Sequence, residues 1–267
     1  MASVFSTGRR HIHFHHISKE LILDDCELPG AKMTDDISTR RARHGLAAAF
    51  ALCALASLTL LAIHPSGAAG SFLALLKDEA SHQVIDGVVH GGFIVTLVAL
   101  IICFAFLSRF LGSAKVPVVI GLVCFCTGCG ALIASMVLDG FATPAIAVRF
   151  ATADDLQPAK TLFILFGTLI GFLMPMGVLF QSVAMLSWSW VLVKGSGLQR
   201  AVGAFGLAAA ISLIVAVFAV PPAMAAHIVL GGIILQSIWY LAIAALLLKR
   251  DGWAIAGEST PTYGVVR

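Results

Sequence analysis

Residues Ser81-His82-Gln83-Val84-Ile85-Asp86-Gly87-Val88-Val89-His90-Gly91-Gly92 lead into an apolar segment that ends near Phe110. Read as a helix, the stretch sets His82, Asp86 and His90 at four-residue steps. Each step rises about 6 Å and turns about 40°, so the three side chains form one slowly drifting stripe. From His90 onward the segment runs for about 20 residues without an acid, the length and character of a membrane span. A polar stripe that runs directly into a span sets the reading of the whole chain: membrane helices, with their polar chemistry gathered at one surface.

Composition agrees. The chain has 267 residues, 59% hydrophobic and 12% charged, with a mean hydropathy of +0.98. Soluble domains are about 45–50% apolar and about 25% charged. Lys and Arg occur before residue 44, in short breaks and after residue 249, with long apolar runs between. This is the pattern of an all-α, polytopic integral membrane bundle. The net charge of +3 reflects loop composition and gives no reason to expect a nucleic-acid partner. Cys53, Cys103, Cys124, Cys126 and Cys129 all lie within apolar runs, so none argues for a loop disulfide framework.

Three regions are expected. Residues 1–44 read as a disordered polar segment in which Met33 is a candidate start. The His11-Ile12-His13-Phe14-His15-His16 tract within it has metal-binding composition but no core to pack on. Residues 45–249 form the membrane domain, and 250–267 a short tail. Six spans are expected: Gly45–Ile63, His90–Phe110 (its helix starting near Ala80), Pro117–Leu138, Thr161–Trp188, Ala201–Val220 and His227–Leu248. Pro175 is expected to kink the fourth. Gly87/Gly91 and Gly167/Gly171 have the spacing of close helix packing, and Trp188 and Trp190 that of an interfacial belt. Ser71–Glu79 and residues 140–160 are read as interfacial segments over the bundle.

Orientation follows from the basic residues. Arg40, Arg41, Arg43, Arg109, Lys115, Lys194, Arg200, Lys249 and Arg250 flank one side of this arrangement, against Lys77, Arg149 and Lys160 on the other. The positive-inside rule then puts both termini in the cytoplasm, in a bacterial inner (plasma) membrane.

On that topology His64 ends span one, His90 opens span two, Asp139 ends span three and His227 opens span six, all at the outer surface. Asp86 and His82 stand one and two turns above His90. Apart from His44 and the N-terminal tract, every histidine of the chain falls on this side. Imidazole with carboxylate is the donor set of zinc, copper or iron sites. His64, Asp86, His90, Asp139 and His227 are therefore the candidate metal ligands, and His90 with His227 a candidate clamp for b-type haem. Redox or hydrolytic chemistry would follow. The competing reading is a non-catalytic protein, either a partner subunit or a passive carrier of a neutral solute. In that protein the histidines and aspartates cap helix ends, and the partners are lipid and a second membrane subunit or copy.

Other polar features are weaker. Gln181-Ser182 and Gln236-Ser237 repeat in spans four and six and suit interhelical hydrogen bonds. Cys126 and Cys129 share a helix face in span three, where packing explains them. No Asp, Glu, Lys or Arg falls at the middle of any expected span, which argues against ion-coupled transport.

Overall fold

The computed structural model describes residues 29–64, 70–219 and 225–249. Among these there is no strand, and the chain runs as α1 (Pro29–Ile63), α2 (Phe72–Leu111), α3 (Val116–Val137), a π turn (Leu138–Ala142), α4 (Thr143–Phe150), α5 (Gln157–Leu192), α6 (Gly197–Ala219) and α7 (Ala225–Leu248). Six stretches are long and apolar enough to cross a membrane: Arg40–Ile63, Phe72–Leu111, Val116–Phe150, Gln157–Leu192, Gly197–Ala219 and His227–Leu248. The described residues are thus all-helical, and their six apolar helices fit a membrane protein. The His11–His16 tract and the tail from Arg250 lie outside the described residues. Residues 29–44, expected to be irregular, form the first turns of α1.

Helix ends follow local chemistry. Ser71 Oγ accepts from the Ala74 amide at 3.2 Å, an N-cap that starts α2 eight residues earlier than its hydropathy suggests. Gly112, at φ +95°, ends it. Pro117 and Pro158 sit in the first turns of α3 and α5, where a missing N–H costs nothing. At the other end of the chain the Arg43 guanidinium donates to the Leu247 and Lys249 carbonyls, at 3.3 and 3.0 Å. It thereby caps α7 from α1, so the chain enters and leaves the membrane part on the same face.

The core is aromatic. Phe104 stacks on Trp188 with centroids 4.3 Å apart and planes 4° from parallel, and on Trp239 at 5.7 Å and 12°. Phe50 meets it edge-on at 4.9 Å. Trp188 is thus wholly buried, and its expected place in an interfacial belt is corrected. The long side chain points toward the neighbouring helices, where ring stacking outweighs a seat at the headgroups. Trp190 is exposed, with Lys194 Nζ 5.3 Å from its ring centre.

Small residues are used differently from their spacing. Gly167 and Gly171 have nothing within 4 Å, so they face outward and bring no helix close. The close approach of α3 and α5 is at Gly128 and Gly177: a Cβ on Gly128 would lie 2.8 Å from the Gly177 carbonyl oxygen. Gly87 and Gly91 receive the ring of Phe141, at 3.8 and 3.6 Å from a would-be Cβ.

Helix α2 has 40 residues, about 60 Å at 1.5 Å per residue, twice a hydrocarbon core of about 30 Å. Its N-terminal half therefore stands clear of the spanning half that begins near His90. Leu76 on this projecting part packs with Ala147 of α4 and Ala159 of α5, flanked by Phe72, Phe150 and Phe163. Ser71–Glu79, expected as an interfacial segment, is instead the start of α2, and residues 140–160 run through the π turn, α4, a break at 151–156 and the start of α5, joined to it by a small core of their own.

Candidate functional site

His90 lies in α2 where the projecting and spanning halves meet, and it is 3% exposed. Its Nδ1 stands 2.9 Å from the Asp86 carbonyl oxygen. A carbonyl only accepts, so Nδ1 carries the proton and donates, and the Nε2 position is left for other chemistry. Facing Nε2 at 3.2 Å is Oδ2 of Asp139, which the π turn presents across from α2. A lone pair on Nε2 and a carboxylate oxygen repel each other at that distance unless a proton or a cation sits between them. His64, one residue past the end of α1, brings its ring edge-on to His90 with centroids 5.1 Å apart. One donor atom from each of His64, His90 and Asp139 lies within 4.8 Å of the others.

The π turn is what delivers Asp139. Asp139-Gly140 continues the helix from α3 into α4 with one wide turn. Such bulges re-aim a side chain and are frequent at functional sites. The turn fits because Gly140 has no side chain: a Cβ there would overlap Cβ and Cγ of His90. Gly140→Ala would ordinarily favour a helix by about 1 kcal/mol. Here it is expected to lower stability by about 1–3 kcal/mol through overpacking and to push the His90 ring from Asp139. Thermal unfolding checks the sign.

The three donors sit in a cup of about 130 Å³ that is also lined by Asp78, Glu79, His82 and Asp86. Asp86 is buried, at 6% exposed, while Asp139 is half-buried. His82 is held by the Asp78 carbonyl, its Nδ1 3.0 Å away, two turns above His90. It lines the cup but is outside the three-donor group. Glu79 was not among the residues singled out from sequence. It stands seven residues before Asp86, two helical turns, and so on the same face. Burial pushes its carboxyl above the ordinary value, and the charges of Asp86, Asp139 and Asp78 add to this while His82 opposes it.

His227 is exposed in the first turn of α7 and does not line the cup. Of the five ligands read from sequence, the fold brings His64, His90 and Asp139 together, puts Asp86 beside them and leaves His227 apart. No protein-family model, curated protein or solved structure matches this chain.

Proposed function

We propose that this protein binds a divalent transition metal at its outer surface through His64, His90 and Asp139, and that the ion serves hydrolytic or redox chemistry. The observation that carries the reading is the facing pair, His90 Nε2 and Asp139 Oδ2 at 3.2 Å, with Nδ1 already committed to a carbonyl. Two ligands about 2.0 Å from a tetrahedral ion stand about 3.3 Å apart, so the pair is set at ligand spacing. The carbonyl bond to Nδ1 is the outer-shell contact that orients a metal-binding imidazole. A mixed imidazole and carboxylate set suits zinc, copper, iron or manganese.

His64, His90 and Asp139 would hold the ion, and a bound zinc would supply an activated water there. Asp86 and Glu79 stand in the same cup as carboxylates available to accept its proton. A haem clamp between His90 and His227 has less support, since His227 is not in the cup. Both termini lie in the cytoplasm on this reading, in a bacterial inner membrane, which places the cup outside. The basic residues at the Arg43 and Lys249 face support that orientation.

Titration of protein lacking residues 1–32 and any histidine tag with Co²⁺ tests the site, since cobalt in an N/O site of low symmetry gives visible d–d bands. Saturation at one equivalent supports the reading, and a featureless titration overturns it. For orientation, an impermeant thiol reagent added to intact cells is expected to label Ser71→Cys and spare Ser113→Cys. The reverse pattern would invert the topology.

A further inference from the structure

The outer cup leaves the two Gln-Ser pairs unused, and the fold brings three of their four residues to a second cavity inside the bundle. It measures about 50 Å³, and its polar lining is Ser57, Thr96, Gln181, Gln236, Ser237 and Tyr240. Thr96 and Leu100 of α2 line it, six and ten residues beyond His90, so it lies about 9–15 Å deeper in the membrane. Val89, Phe93 and Met136 pack together between the two sites, with Leu60, Leu61 and Ile233 against them. Beyond Tyr240 the stack of Phe104, Trp188 and Trp239 closes the far side. The cavity is therefore separate from the cup.

Some of its polar groups are accounted for. Thr96 Oγ1 donates to the Gly92 carbonyl at 2.9 Å, Gln181 Nε2 to Cys129 Sγ at 3.3 Å, and the Tyr240 hydroxyl to Gln236 Oε1 at 3.2 Å. Among the rest, Gln236 Nε2 and Ser237 Oγ are buried with no partner among the described residues, on residues only 7% and 1% exposed. A polar group left unpaired in the hydrocarbon region is costly, because lipid offers it nothing.

We propose that this cavity is a binding site for small neutral hydrogen-bonding molecules, filled by water or by a solute of the same chemistry that bridges Gln236 and Ser237. The volume suffices for about three or four waters at 10–15 Å³ each on this measure. No Asp, Glu, Lys, Arg or His lines it, so a charged ligand would be buried without a counter-charge. The inference is independent of the metal reading, since it uses none of the cup's residues.

The test is an experimental structure of the full wild-type chain at a resolution that shows ordered water, with and without xenon pressure. Density within hydrogen-bond distance of Gln236 Nε2 and Ser237 Oγ is expected, as separate peaks for water or connected density for a solute, and xenon is excluded. An empty cavity, or one that takes up xenon as dry apolar cavities do, overturns the proposal. Ser237→Ala adds a reading in solution. A bridged hydroxyl makes the variant melt lower than wild type, whereas removing an unsatisfied one makes it melt higher, which would again overturn the proposal.

Discussion

His90→Ala is expected to lower Co²⁺ or Zn²⁺ affinity by more than about 100-fold, beyond the 10–100-fold typical of losing an outer-shell partner. The substitution removes the one ring whose Nε2 faces Asp139 at 3.2 Å and whose Nδ1 is pinned by the Asp86 carbonyl. Asp139→Asn separates charge from shape. The amide keeps a hydrogen bond to Nε2 and so keeps the fold, while the anionic ligand is lost and metal binding falls. His227→Ala is expected to leave affinity unchanged, because that residue does not line the cup. Acidification weakens binding in the wild type, since protons compete with the metal for Nε2. If His90→Ala instead lowers the melting temperature and leaves metal binding untouched, the pair is a tether between α2 and the π turn.

Phe104→Ala should give the largest loss of stability. The ring is wholly buried against two indoles while Phe50 meets its edge. In lipid, removing it forfeits packing and leaves a cavity, with little transfer contribution from water. A cost of about 3 kcal/mol, the low end of the Phe→Ala range, is therefore expected. For a chain of this size that is roughly 6–12 °C in melting temperature. Phe172→Ala is the control: its ring is 70% exposed on the outside of α5 and its loss should cost no more than about 0.5 kcal/mol. Equal effects at the two positions would mean that the aromatic stack is not the core.

How far these features were legible in the sequence depended on range. Hydropathy and helix period located the six spans and set His64, His90 and Asp139 at one depth, because span ends are local properties. Depth alone says nothing about angular position around the bundle, and so His227 was grouped with residues it does not join. The same limit applies to Trp188, whose neighbours belong to α2, α3 and α7. The projecting part of α2 was read as a separate interfacial segment because hydropathy marks only the spanning half, yet the Ser71 cap and Leu76 buried against α4 and α5 hold it in one helix. Glu79 was missed for that reason, although its seven-residue spacing from Asp86 was visible. The π turn had no signal beyond Asp139-Gly140, which is equally the start of an ordinary turn.

The most direct test of the metal reading is elemental analysis, with a visible absorption spectrum, of detergent-purified protein lacking residues 1–32 and any histidine tag. Removing those tracts matters because either would bind metal by itself. The account predicts stoichiometric transition metal that survives dialysis and is absent from His90→Ala. Wild-type protein that stays metal-free after incubation with zinc, copper, iron and manganese would contradict it.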